Sequence, residues 1–581
     1  PHRMMKEWPA DSNSRVAHMN GGDFYGSESS TTVDKACEVR IEFVAEDGKI
    51  TVLKDKTALL AGEVLDSSVM NVQALRTFYK EQIAAAKKDG ILLSLHLKAT
   101  MMKISDPIMF GHAFEIFFAD VFATYADVFK EVGVNPNMGM SDLEKKIKGH
   151  AKEAEIKAAF LAAVESDAPK IAMVDSDKGQ TNFNASNDVI IDASMPVVVR
   201  EGGKQWDRTG AALETVAVIP DSTYAMFHAE MVADCVKHGQ YDVSTMGTMQ
   251  NIGLMAQKAE EYGSHPTTFE LAEAGTVTVT GEDGVLMSFE CEAGDIWRLA
   301  RTKDIPIRDW VRLTVERTRL EGIPAVFWLD ENREHDAELI KKVNAYLKDF
   351  DTTGLDIQFM KVTDATRFTN ERIRRGENTI AVTGNVLRDH LTDMYPILEL
   401  GTSAKMLSIV PLIAGGGLYE TGAGGSAPKH VDQFLAEGHL RWDSLGEFLA
   451  LAVSLEDLAQ KTQSNKTKVI AAALDKANSM FLNNDKSPSR KTGELDTRGS
   501  HFYLGLYWAQ ALAEQNGDAD LKAIFTPVAQ QLTDNEMKIV EELNSVQGKA
   551  ADLGGYYRPN KELISNVMRP SATLNAVIDS L

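Results

Sequence analysis

T379-I-A-V-T-G-N-V-L-R-D-H-L-T-D393 reads as a short buried strand, Thr379 to Thr383, running straight into a helix that carries Arg388, Asp389 and Asp393. On that helix Asp389 and Asp393 lie one turn apart on the same face. Like charges at this spacing cost about a few tenths of a kcal/mol unless something relieves them. One reading is a solvated acidic face. The other is a pair of carboxylates for a divalent cation, with Arg388 beside them to grip a substrate carboxylate.

The strand-then-helix pattern extends over the first 400 residues. Ile91 to Leu97, Ile171 to Asp175, Val189 to Asp192, Val216 to Pro220, Ala325 to Asp330 and Ile357 to Lys361 are short apolar runs that predict strands. Amphipathic stretches Asn71 to Lys88, Thr223 to Lys237, Asp336 to Asp349 and Asp364 to Arg375 separate them. This alternation predicts an α/β architecture with a largely parallel sheet. Two stretches, from Cys37 and from Thr276, alternate across Asp47-Gly48 and Asp283-Gly284 and predict hairpins, expected as peripheral additions. After about residue 430 nearly continuous helical periodicity takes over, from Lys429 to Glu437 through to Glu536 to Gln547.

At 581 residues the chain exceeds what one core usually serves, so at least two domains are expected. The boundary is placed at residue 405, with a large α/β domain over 1–405 and a helix-rich part over 406–581. A net charge of −23 disfavours nucleic acid or an anionic membrane as the main partner. An anionic small molecule remains compatible, provided its site gathers its own positive charge. Cys37, Cys235 and Cys291 are far apart, which suits reduced thiols in a cytoplasmic protein better than a disulfide framework or a zinc site. The most apolar helix candidate, Pro107 to Phe129, is interrupted by Glu115, Asp120 and Asp127, so no membrane span is expected.

Four constellations could carry chemistry. In H-L-K-A-T-M-M-K-I-S-D-P, from His96 to Pro107, Lys98 follows an apolar strand; partial burial would lower its pKa toward that of a usable base, unless the side chain snorkels to solvent. In V-I-I-D-A-S-M-P, from Val189 to Pro196, Asp192 is expected at the carboxyl end of a buried strand, as a ligand-binding group or as a helix cap. With Asp389 and Asp393 it would make a three-carboxylate cage suited to Mg²⁺ or Mn²⁺. In E-E-Y-G-S-H-P, from Glu260 to Pro266, Tyr262 is a proton-donor candidate or an exposed aromatic. The loop G-A-G-G-S-A-P-K-H, from Gly422 to His430, would let backbone N–H groups of Gly425 and Ser426 approach a phosphate. Lys429, His430, Arg441 and Arg490 would supply charge, unless the loop is merely a flexible surface segment.

These motifs resemble the monomeric NADP-dependent isocitrate dehydrogenases of bacteria. So do R15-V-A-H-M, G22-D-F-Y-G-S, S105-D-P-I-M-F-G, L254-M-A-Q-K-A-E-E-Y-G-S-H, G294-D-I-W-R, R441-W-D-S-L-G-E-F-L-A and G499-S-H-F-Y-L, so the likeness runs almost end to end. It implies an isocitrate/isopropylmalate dehydrogenase-like fold, with mostly parallel sheets and an internal pseudo-duplication in the large domain and a second domain rich in helices. It implies a monomeric, cytoplasmic enzyme of the tricarboxylic acid cycle. Isocitrate would be oxidised and decarboxylated to 2-oxoglutarate and CO₂ with NADP as acceptor and Mg²⁺ or Mn²⁺ as the metal. Matched by position, Asp192, Asp389 and Asp393 bind the metal and Arg388 a substrate carboxylate. Lys98 and Tyr262 are the acid–base pair. Gly425, Ser426, Lys429, His430, Arg441 and Arg490 line the cofactor, with His430, Arg441 and Arg490 on its 2′-phosphate. The resemblance also implies a segment upstream of Pro1 that holds further substrate-binding groups, so this chain by itself is expected to be inactive or poorly folded. The rival readings are another metal-dependent decarboxylating hydroxy-acid dehydrogenase, and a fragment that keeps only nucleotide binding.

Overall fold

The computed structural model describes residues 5–99, 101–166, 170–254, 267–400, 408–411, 417–420, 427–555 and 559–581. The chain divides into two compact units, one formed by residues 5–394 with 410–414 and the other mainly by 395–409 and 415–581. The larger unit is a mixed α/β structure.

Its hairpins form where the turn chemistry says they should. Gly48 and Gly284 take positive φ values of 83° and 122°, which only glycine adopts without strain. They close Cys37–Ala45 onto Ile50–Leu59 and Gly275–Gly281 onto Gly284–Cys291. The two hairpins, expected as separate additions, pair with each other through Cys37–Ala45 and Gly275–Gly281 into one four-stranded antiparallel sheet. The alternate positions Val39, Ile41, Phe43, Val277 and Val279 are buried in the core beneath it.

Each hairpin is followed by the same order of elements. Val64–Met70, the helix Val72–Asp89 and Leu92–Leu95 follow the first; Ile296–Thr302, the helix Asp304–Glu321 and Ala325–Trp328 follow the second. Val64–Met70 and Ile296–Thr302 are antiparallel neighbours. Both helices end on a glycine in the left-handed region, Gly90 and Gly322, where a side chain would be strained.

The strands that lead to the site lie in two parallel arrays. In one, Arg15–Ala17, Ala212–Val218 and Leu92–Leu95 run parallel in that order. In the other, Ile357–Met360, Ala325–Trp328, Thr379–Gly384 and Met249–Leu254 do the same. Two expectations change here. Val189 to Asp192 is not a strand: only Ile190 bridges to Leu97, and the helix Ile191–Arg200 begins at once, so Asp192 sits in a first helical turn. The apolar stretch from Pro107 breaks into three helices, Ser105–Phe117, Ala119–Thr124 and Ala126–Val132. Their phenylalanines form an aromatic core with Phe160 and Phe183.

The smaller unit is helical from Ala427 onward, with cores built on Phe481, Phe502, Leu506 and Leu532 and on Leu512 and Leu521. Among the described residues, no helix is long and apolar enough to cross a membrane. Cys235 and Cys291 are buried, Cys37 is half-buried, and all three are free thiols.

Candidate active site

Lys98 lies one residue beyond the bridge that joins Leu97 to Ile190. The Leu97 N–H donates to the Val189 carbonyl and the Ile191 N–H returns to the Leu97 carbonyl, both at 2.9 Å. This exchange holds the chain after strand Leu92–Leu95 against the start of the helix bearing Asp192. The Lys98 side chain is fully enclosed, and its amine donates to Asp192 Oδ1 and, at 3.0 Å, to Asp389 Oδ2. It does not snorkel. Nor is its pKa lowered as expected: burial pulls it down, but Asp192 and Asp389 outweigh burial and hold the amine above its ordinary range.

Arg388, Asp389 and Asp393 stand on the helix Asn385–Leu400, directly after strand Thr379–Gly384. The Arg388 guanidinium pairs with Asp389 Oδ1. The Arg388 carbonyl accepts from Asn251 at 3.2 Å, and Thr383 donates to the same asparagine at 3.0 Å. Gly253 on the neighbouring strand makes the room: a Cβ there would lie 2.6 Å from Arg388 Cγ and Cδ. Asp393 is pushed well above the usual carboxylate range, first by burial and then by the charges of Asp192 and Asp389. The three acidic side chains therefore feel one another across 201 residues of sequence.

Among the described residues no three His, Cys, Asp or Glu side chains are gathered tightly enough to hold a metal as they stand. The positive charge between Asp192 and Asp389 is the Lys98 amine. Even so, the donor set fits a hard divalent cation: all oxygen, partly buried, with Asp393 raised above the usual carboxylate range first by burial and then by the charges of Asp192 and Asp389.

Histidines that the sequence reading did not single out surround this cluster. His390 Nδ1 is 3.8 Å from Asp192 Oδ1 and 3.1 Å from His228 Nε2, and its ring stacks on Tyr224. Burial holds both His228 and His390 well below the usual imidazole pKa, and holds His96 down to about 3. Ser194 donates its hydroxyl to the Ile190 carbonyl, so at 2.6 Å it accepts from His96 Nδ1–H, which fixes that tautomer. The sequence hints were that His390 stands between Asp389 and Asp393 and that His96 heads the motif carrying Lys98.

In the helical unit, His430 lies on the helix Ala427–Glu437 with Trp442 edge-on to its ring at 5.8 Å. Burial lowers its pKa, and the charges of Arg441 and Arg490 lower it further, so the three basic side chains share one neighbourhood. Gln433 on the same helix donates to the Arg490 carbonyl at 3.1 Å and ties that loop down. Lys429 is on this helix too. Gly425, Ser426 and Tyr262 lie outside the described residues.

A family model described as monomeric isocitrate dehydrogenase matches residues 1–579. The chain is 57% identical over 584 residues to the NADP isocitrate dehydrogenase of Azotobacter vinelandii, which covers all of this chain and 78% of that protein. It is 56% identical to an NADP isocitrate dehydrogenase 2 of Colwellia maris and 54% to the NADP isocitrate dehydrogenase of Corynebacterium glutamicum. Those alignments cover all of this chain, and 78% and 79% of the respective relatives.

Proposed function

The chain belongs to the monomeric isocitrate dehydrogenases, and from that premise we infer that it oxidises and decarboxylates isocitrate to 2-oxoglutarate and CO₂ with NADP as the hydride acceptor. The observation that carries this reading to the residues is the meeting of Lys98 with Asp192 and Asp389, beside Arg388.

Asp192, Asp389 and Asp393 are the residues that would hold Mg²⁺ or Mn²⁺. Bound there, the cation supplies electrophilic help both for loss of the substrate's hydroxyl proton and for the charge left when CO₂ departs. Arg388 offers a planar, two-pronged donor to a substrate carboxylate. Lys98 Nζ, enclosed against Asp192 and Asp389, would hold and pass a proton at the reacting end of the substrate. Tyr262, the other member of the acid–base pair, would share the proton transfers with Lys98. His430, Arg441 and Arg490 would grip the ribose 2′-phosphate and so select NADP over NAD, with Lys429 and the backbone of Gly425 and Ser426 on the remaining phosphates.

The large unit reads as a pseudo-duplication. The repeated order of hairpin, strand, helix and strand supports this, as do the pairing of equivalent hairpins and two parallel arrays with matching strand orders. On this reading the protein works as a cytoplasmic monomer, one chain supplying what two subunits supply elsewhere.

The test is NADPH formation by the protein at its natural length, with isocitrate and Mn²⁺, set against malate, homoisocitrate and NAD. Turnover confined to isocitrate and NADP is expected. Faster turnover of malate or homoisocitrate would move the assignment to another decarboxylating dehydrogenase, and NADPH binding without turnover would leave only a nucleotide-binding protein.

A further inference from the structure

The motif S-D-P-I-M-F-G, from Ser105 to Gly111, has no part in the chemistry above, yet its Asp106 is sealed from solvent at the start of helix Ser105–Phe117. A buried carboxyl is a poor choice for stability, because desolvation penalises its charge and a neutral isostere would pack as well. Burial raises its pKa to about 7, with Asp221 adding to the shift and Ser105, Arg298 and the Lys98 amide opposing it.

Its contacts point to the site. Asp106 Oδ2 accepts the backbone N–H of Lys98 at 2.7 Å, and the Tyr224 hydroxyl donates to the same oxygen over a long 3.5 Å. Oδ1 takes the Ser105 hydroxyl at 2.9 Å. The Lys98 N–H lies where the strand has ended and a turn begins, since the Lys98 carbonyl already accepts from Met101 and Met102. The carboxylate supplies the partner that no strand offers. Tyr224 then leads back to the site from the other side: its ring stacks at 4.8 Å on His390, which faces Asp192. A single carboxyl thus braces Lys98 from below and reaches Asp192 through two aromatic rings.

We propose that Asp106 is a positioning residue for the reaction, gripping the Lys98 peptide so that the Lys98 amine is aimed at Asp192 and Asp389. The inference rests on the reading of Lys98 as the proton carrier. Two variants separate position from charge and from packing. Asp106→Asn keeps an oxygen that can accept the Lys98 N–H, whereas Asp106→Leu matches the shape and accepts nothing.

In the full-length enzyme the Asn variant is expected to keep kcat within about threefold. The Leu variant is expected to lose about 30-fold in kcat, because a small displacement of a reacting group is that costly. KM for isocitrate and for NADP should stay within about twofold in both, since substrate binding is untouched. Equal kcat in the two variants, or losses that appear in KM instead, would overturn the proposal. If the Leu variant does not fold, the Asn variant decides: a folded protein that has lost more than about tenfold in kcat overturns it, and retained kcat upholds it. Wild type and Lys98→Met are run alongside. An inactive wild type removes the proposed function, and full activity in Lys98→Met removes the role of Lys98; either takes this inference with it. A normal Leu variant beside a dead Lys98→Met removes the inference alone.

Discussion

Lys98 shows how far a residue's chemistry depends on neighbours that sequence keeps distant. The apolar run before it announced burial, and burial alone argues for a depressed amine pKa. Asp192 and Asp389, 94 and 291 positions away, reverse the sign. Asp393 has the opposite environment: burial and two like charges raise its carboxyl, so proton and cation compete for it. Mn²⁺ affinity, measured by calorimetry on chelator-treated protein, should therefore fall as pH falls toward and below the raised Asp393 pKa. Asp393→Asn should bind Mn²⁺ at least about tenfold more weakly and lose the steepest part of that dependence. Asp106 gives a stability prediction with its own sign. Its carboxyl is raised from 3.8 to about 7, so the folded state favours the protonated form; the stability this contributes is complete below 3.8 and lost as pH rises through 7. Asp106→Asn, which cannot ionise, should melt higher than wild type at pH 8, with the gap closing as pH drops from about 7 toward 4. A variant that melts lower at pH 8 would show that the buried charge is compensated.

At the level of elements, legibility followed the locality of the signal. The strands Ala325–Trp328 and Ile357–Met360, the helices Val72–Asp89 and Ser222–His238, and both Asp-Gly turns were readable because periodicity and turn chemistry are written within a few residues. The strands Val64–Met70 and Ile296–Thr302 were not singled out. Both are buried almost throughout and carry Asp66, Ser67, Ser68 and Arg298 inside, so alternation is lost. Val189 to Asp192 was misread because a short apolar run does not distinguish a strand from the entry to a buried helix. The carboxylates and basic residues of the site could be named from motifs, but His228 and His390 could not, since only packing brings their rings together. Gly253 is a further case: nothing in M-Q-N-I-G-L, from Met249 to Leu254, says that the glycine serves Arg388 on the next strand's helix. Gly253→Ala should push the Arg388 side chain aside and raise KM for isocitrate about tenfold or more, with a smaller effect on NADP. Steady-state kinetics with each substrate varied would check this, and an unchanged KM for isocitrate would place Arg388 outside the substrate's reach.

For the whole molecule, the change of texture near residue 430 lies close to Ala427, from which the described chain is helical. The two units have hydrophobic clusters of their own. One set runs through Phe110, Phe114, Val216 and Trp297, and the other through Phe481, Phe502, Leu512 and Leu532. The residues assigned to metal and substrate are all in the first unit, and the described residues assigned to the 2′-phosphate are all in the second. A ligand that binds only folded protein stabilises the unit it binds, by about 2.7 kcal/mol at a hundred times its Kd. Scanning calorimetry should therefore resolve two transitions. Mn²⁺ with isocitrate should move one upward by several degrees and NADPH the other, while His430→Ala with Arg490→Ala should abolish only the NADPH-dependent shift. A single transition, raised equally by both ligands, would mean that the units unfold as one body and that the cofactor's grip extends beyond the basic cluster around His430.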